Sequence, residues 1–279
     1  MKIVLIGAGN LATHLGKALK EAGHDICQVY SRTLASASVL AQALGSDATD
    51  DLTLLADDAD AYVISVKDSA LDQVPATACM GRGKGVFLHT AGSIPMEVFN
   101  GRVPHYGVLY PMQTFSKAAE VDFSVIPTFI EYNDDVAEKT IKALANSITQ
   151  RVYTLSSADR KYLHLSAVWA CNFVNHCYDI SSKILAAHNV PFDVMLPLIN
   201  ETARKVQTLS PHEAQTGPAV RYDENVINAQ TQLMADSPTW QKLYRLLSES
   251  IHETHKVNDT KREFDELPFL MIITYGSGT

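Results

Sequence analysis

Cysteine is scarce in this chain and poorly spaced for chemistry. The four residues Cys27, Cys79, Cys171 and Cys177 contain no C-x-x-C pair. That excludes a thioredoxin-like redox motif and a cysteine zinc site, and the four are expected to be reduced core thiols of a cytoplasmic protein. Histidine ligand clusters are missing too. The segment His252-Glu-Thr-His255 lacks the four-residue spacing of an H-E-x-x-H zinc helix, so no metal is expected. No apolar run is long enough to cross a membrane, and the opening residues read as a strand rather than a signal peptide. There is no basic stripe: the net charge is −8 and is spread over both halves, which disfavours nucleic acid as a partner. Repeats and low-complexity tracts are also missing. The seven methionines and two tryptophans are scattered and read as core.

What is present is enough apolar material, 46% of 279 residues, for two folded domains. The chain begins with a strand, Lys2-Ile-Val-Leu-Ile6, that runs into Gly7-Ala8-Gly9-Asn10-Leu11-Ala12. This is a G-x-G-x-x-A fingerprint set between a strand and an amphipathic helix. Gly7 permits the tight turn, Gly9 lets phosphate approach, Ala12 lets helix and strand pack, and the helix N-terminus attracts an anion. Gly7, Ala8, Gly9, Asn10 and Leu11 are therefore candidate contacts for a dinucleotide pyrophosphate.

Further strands are expected at Ile26–Tyr30, Ala61–Val66, Gly85–His89, Thr128–Tyr132 and Val152–Leu155. Helices are expected at Thr33–Leu44, Asp51–Ala56 and Val136–Ile148. Alternation at this spacing predicts parallel βαβ units, that is, a doubly wound α/β Rossmann sheet over residues 1–155. From Ser156 the pattern is helical. Ser156 with Asp159 forms a capping box that opens a long helix to His188, stopped by Asn189 and Pro191. Helices Phe192–Ser210, Asp223–Leu233 and Pro238–Lys256 follow. Residues 156–265 read as a helical substrate and dimerisation domain, and 266–279 as an apolar tail.

The second strand ends without the carboxylate that would hold a ribose 2′-hydroxyl. It offers Ser31, Arg32 and Thr33 instead. A guanidinium grips a 2′-phosphate, and an acid would repel it, so NADP is favoured over NAD. Val66 and Lys67, then Thr90 and Ala91, end later strands at the carboxyl edge of the sheet. They are expected to line the ribose-pyrophosphate path and to approach the nicotinamide, respectively.

The segments G-A-G-N-L-A, S-R-T, I-S-V-K-D, H-T-A-G-S, Y-P-M-Q-T-F and A-Q-T-G-P-A-V-R-Y-D occur in that order. The chain thereby resembles a family of NADP oxidoreductases in which a Rossmann domain precedes a helical domain of the type numbered 2520. The first half is also similar to pyrroline-5-carboxylate reductase, ketopantoate reductase and the coenzyme F420-dependent NADP reductases. The helical half resembles the C-terminal domain of the 6-phosphogluconate dehydrogenase superfamily. The resemblance implies a reductase whose substrate sits between two domains and whose helical domains form a homodimer. Two departures limit the carry-over. Related enzymes often have His-Pro where this chain has Tyr110-Pro111. The hydroxyacid dehydrogenase relatives place an asparagine four residues after a catalytic lysine, where Lys161 here is followed by Leu165.

Stepping 100° per residue along the long helix places Leu163, Ala167, Ala170, Val174, Cys177 and Ile184 in one apolar sector, expected to pack in the core. Lys161, His164, Asn172, Asn175, Asp179 and Lys183 fall in another. His164 is the candidate proton donor, Asn172 would orient a substrate, and Lys161 is the reserve acid. The alternative is a polar face in water or at a dimer seam. Thr216 and Arg221, with Gln113, would suit a substrate carboxylate. The expected activity is hydride transfer between NADP and a small, anionic carbonyl or imine substrate. The rival is a non-catalytic NADP-binding sensor acting through its helical domain. Exchange with a deazaflavin is disfavoured, because nothing marks a second large cofactor site.

Overall fold

A computed structural model describes residues 1–265, with side chains to Lys256. The apolar tail falls outside the described residues. The structure divides into two compact units, Met1–Asn175 and one from His176 onward. The division lies further along the chain than the change to helical character at residue 155.

The first unit is built on a single eight-stranded sheet. Its strands are β1 (Lys2–Ile6), β2 (Asp25–Tyr30), β3 (Asp47–Thr49), β4 (Ala61–Ile64), β5 (Val86–His89), β6 (Tyr106–Pro111), β7 (Thr128–Tyr132) and β8 (Val152–Thr154). Their order in space is β3-β2-β1-β4-β5-β6-β7-β8. Side chains on β1 alternate between faces. Ile3 and Leu5 join a core with Leu15, Leu19 and Ile141 on one side, while Val4 and Ile6 join Tyr62, Phe87 and Phe99 on the other. All four β1 residues are fully buried, each contributing about 1.5–3 kcal/mol. This is the buried sheet of a doubly wound Rossmann fold.

The helices of this unit are α1 (Asn10–Glu21), α2 (Leu34–Leu44), α3 (Val74–Ala78), α4 (Asp135–Ile148) and α5 (Ser157–Ala167). Thr33 caps α2 by accepting from the Ser36 amide, and Gly45 ends it in the left-handed conformation. Ser156 caps α5 by accepting from the Asp159 amide, and its hydroxyl donates to the Asp159 carboxylate.

Several expectations are corrected. Strands β3 and β6 were not anticipated, and the acidic segment after β3 forms a single 3₁₀ turn, Leu52–Leu54, capped by Asp51. Strand β7 runs antiparallel to β6, not parallel. The segment between them carries no crossover helix, only a 3₁₀ turn at Phe123–Val125, and a parallel return needs a crossover. After α5 the chain widens into a π-helical turn, Val168–Phe173, before α6 (Val174–Ala187). The sector expected in the core does not bury there: Ala170, Val174, Cys177 and Ile184 are exposed, and the buried residue of α5 is Arg160. Cys171 and Cys177 are therefore exposed thiols, and Trp169 is exposed as well, against the reading of both residue types as core. All four cysteines are free, and burial pushes the Cys79 thiol up to about 12.

In the second unit Asn189 adopts φ 57° and stops α6. The next helix starts as a 3₁₀ turn at Phe192–Met195 and continues as α7 (Leu196–Lys205), five residues short of the expected end at Ser210. A short α8 (Pro218–Arg221) precedes α9 (Glu224–Gln232), capped by Asp223. Helix α10 (Pro238–Asp265) runs beyond the expected end at Lys256. Among the described residues no helix is long and apolar enough to cross a membrane.

Candidate active site

The strand β1 delivers the chain into a turn that only glycine fits. Gly7 has φ 126°, and a Cβ there would lie 2.0 Å from the Ser65 carbonyl oxygen. Gly9 has open space where a Cβ would stand, and it occupies the N-cap of α1 with no side chain capping the helix. Free amides beside open space at a helix N-terminus suit a pyrophosphate. Ala8 and Leu11 are half-buried beside this turn. Asn10 turns its side-chain amide to the Phe115 carbonyl at 2.9 Å, which ties α1 to the segment after β6. Val66 sits beside the turn, its Cγ1 3.5 Å from where a Gly7 Cβ would be, and Lys67 is exposed.

At the end of β2, Arg32 is exposed, and no carboxylate pairs with it among the described residues. The Thr33 hydroxyl is occupied in capping α2, which leaves Ser31 and Arg32 for a ribose phosphate. These groups fit NADP.

Thr90 and Ala91 are buried at the end of β5, in a loop held from below. His89 is fully buried; its Nδ1 accepts from the Ala91 amide at 3.1 Å and its Nε2 donates to the Pro95 carbonyl at 3.3 Å. Burial, with the Arg160 charge nearby, pushes His89 down to about 3, so its ring is neutral. Arg160 is 1% exposed. It pairs with Glu131 of β7 at 2.5 Å and donates to the Ile94 carbonyl at 2.5 Å and the Ser157 hydroxyl at 3.1 Å. Glu131 also accepts from the Ser157 amide and hydroxyl at the start of α5, where a helix N-terminus favours an anion. Loop 90–95 and helix α5 are thus anchored to the same buried ion pair.

Residues of β6, of the segment after it, of α5 and of the π-helical turn line a pocket of about 310 Å³. Met112, Leu163, Ala167 and Val168 give it apolar walls, and Tyr110, Gln113, Thr114, His164 and Asn172 supply polar groups. The Tyr110 hydroxyl lies 3.0 Å from His164 Nδ1. Three predicted residues, Gln113, His164 and Asn172, therefore share one pocket. Lys161 is not among its lining residues; it is exposed, with its ammonium over the Tyr162 ring. Thr216 and Arg221 belong to the second unit, Arg221 closing α8. Sequence reasoning missed Tyr110, Arg160 and His89 as parts of the site. Tyr110 was visible only as a departure from His-Pro, and nothing in the pattern marked a buried arginine.

Residues 2–87 match the family described as NADP oxidoreductase, coenzyme F420-dependent. Residues 126–251 match the domain of unknown function DUF2520. A solved structure named "putative NADP oxidoreductase BF3122", from Bacteroides fragilis, is 55% identical over 90% of this chain and 98% of its own, with a TM-score of 0.87. The chain belongs to the NADP oxidoreductase family. Protein TM1727 from Thermotoga maritima has the same fold at 22% identity and a TM-score of 0.72, covering 90% of this chain and 99% of its own. So does an imine reductase from Myxococcus stipitatus in complex with NADP+, at 14% identity and a TM-score of 0.64, covering 94% and 95%. Nothing among curated proteins matches the chain. In this member of the family, the glycine turn and Arg32 are the features that fit NADP.

Proposed function

We propose that the protein reduces a small carbonyl or imine compound with NADPH, and that His164 gives the proton. The observation that carries this reading is the pocket shared by His164, Asn172 and Gln113 in the unit that bears the dinucleotide turn. NADPH, when bound, supplies the hydride. His164 donates a proton from Nε2 to the substrate oxygen or nitrogen, and Asn172 and Gln113 orient the polar end of the substrate. Met112, Leu163, Ala167 and Val168 offer the apolar part of the substrate a surface to pack against. No lysine or arginine is among the residues that line this pocket.

The reading is tested by NADPH titration and by a screen of aldehydes, ketones and imines that follows NADPH absorbance. Arg32→Ala is expected to raise the Kd for NADPH roughly 10–150-fold, the loss of a charged hydrogen bond of about 1.5–3 kcal/mol, and to leave that for NADH unchanged. Equal weakening of both nucleotides would remove Arg32 from the phosphate site. Failure of any carbonyl or imine to consume NADPH would remove the reductase reading.

We also propose that the working form is a homodimer. Tyr162, Leu165, Trp169 and Phe173 stand exposed at three- and four-residue spacing along one helix, a row of apolar side chains of the kind a second copy covers. Sedimentation should give a dimer, and Phe173→Asp should give a monomer. A wild-type monomer at micromolar concentration would refute this.

A further inference from the structure

We propose that Tyr110 is a positioning residue for His164: its hydroxyl donates to Nδ1, fixes the ring in the Nε2–H form, and resupplies the proton that the ring gives away. The proposal rests on the oxidoreductase reading for its role in turnover, but not for its structural test.

The Tyr110 hydroxyl and His164 Nδ1 are 3.0 Å apart. Tyr110 is 8% exposed, and burial pushes its phenol above the ordinary value, so the hydroxyl keeps its proton. A buried hydroxyl proton needs an acceptor. Among the described residues Nδ1 is the acceptor that the Tyr110 hydroxyl has. Were Nδ1 to carry the hydrogen instead, the phenolic proton would be stranded. Nδ1 therefore accepts, and the neutral ring carries its hydrogen on Nε2. Nε2 has no protein partner among the described residues, on a side chain that lines the pocket.

Gly92 holds the ring in this place. A Cβ on Gly92 would lie 2.5 Å from His164 Nδ1, 2.7 Å from Cγ and 3.0 Å from Cβ. The imidazole thus rests on the bare backbone of the loop after β5, with the Tyr110 ring edge-on at 6.0 Å between centroids. Because the contact reaches the root of the side chain, a methyl group on Gly92 displaces the whole ring.

The proton inventory closes. As the substrate oxygen gains electrons with the arriving hydride, the Nε2–H bond breaks and an O–H bond forms on the product. The Tyr110 O–H bond breaks and an Nδ1–H bond forms, so the ring stays neutral throughout. Once product leaves, a solvent proton binds Nε2 and the Nδ1 proton returns to the phenolate oxygen, which restores the Nε2–H ring and the Tyr110 O–H. A phenol is a far stronger acid than an alcohol, so transfer toward an alkoxide is downhill even with the phenol raised by burial.

The test is the tautomer of His164, read by long-range proton–nitrogen correlation on the full-length ¹⁵N-histidine-labelled protein. His164→Gln identifies the signals by their loss. The wild type should show the Nε2–H pattern. Tyr110→Phe should convert it to a mixture of both tautomers, and Gly92→Ala should do the same with the phenol intact. An Nδ1–H pattern in the wild type, or an unchanged pattern in Tyr110→Phe, overturns the proposal. The wild-type spectrum decides the tautomer even if a variant fails to fold. NADPH titration of the same samples separates the two readings: loss of NADPH binding with an Nε2–H ring refutes the oxidoreductase reading alone. With a substrate from the screen, Tyr110→Phe should lower kcat roughly 10–100-fold with little change in KM.

Discussion

His164→Ala is expected to lower kcat roughly 10²–10⁴-fold, the usual contribution of a positioned proton donor. The Kd for NADPH should change far less than kcat, because neither the glycine turn nor Arg32 is among the residues lining the pocket of His164. The missing imidazole leaves a gap beside Gly92 and strips the Tyr110 hydroxyl of its acceptor. A modest fall in melting temperature should therefore accompany the loss of turnover. The two effects separate in His164→Gln, which refills the space without an acid able to work at neutral pH. If either variant retains more than a tenth of wild-type kcat, the proton comes from elsewhere. Tyr110 acting through an ordered water would then be the next group to remove.

The largest effect on stability should come from Arg160→Ala, at about 3–5 kcal/mol, the usual cost of breaking one partner out of a buried ion pair. Glu131 keeps its bonds from Ser157 but loses its counter-charge in a place where its side chain is 12% exposed. The Ile94 carbonyl loses its donor at the same time, so loop 90–95 is released along with the start of α5. Thermal unfolding should shift down by roughly 10 °C. The paired replacement Arg160→Met with Glu131→Leu should cost much less than the sum of the two single changes, because it removes both charges together. Additive costs would mean that the two residues do not act as a pair. NADPH affinity is a further readout: a loosened loop beside Thr90 and Ala91 should weaken it, whereas damage confined to the core would not.

The sequence was most legible where local chemistry and global position agree. Strand β1, the turn at Gly7 and Gly9, the Ser156 cap and the stop at Asn189 each depend on a few adjacent residues, and each could be read from them. Strand β6 escaped because it holds Gly107 and ends in Pro111, both poor strand formers. In the fold Gly107 is there for room: a Cβ would lie 2.0 Å from the Glu131 carbonyl oxygen of β7. The antiparallel turn of β7 depends on what is missing between two strands, which periodicity does not register.

The site divides in the same way. The dinucleotide turn is one continuous motif, so its candidates could be named from spacing alone. The pocket draws Tyr110 from a strand, Gly92 from a loop and His164 from a helix, and these meet only once the sheet is assembled. A helical wheel identified His164 and Asn172 but also placed Lys161 with them, and the structure puts Lys161 outside the pocket. The wheel also assigned to the core a sector of which Ala170, Val174, Cys177 and Ile184 are exposed, while Arg160 takes the buried position on α5.

The π-helical turn at Val168–Phe173 bears on how this chain is compared with others. A wide turn holds one residue more than the α-helical turn it replaces. A homologue whose helix is regular throughout would therefore align correctly up to Ala167 and fall out of step by one position afterwards, unless a single-residue gap is opened there. Counting columns across that point would pair Asn172 with the wrong neighbour and turn its face by about 100°. Functional residues on the far side of the turn are safer to transfer by superposing backbones than by counting along the sequence.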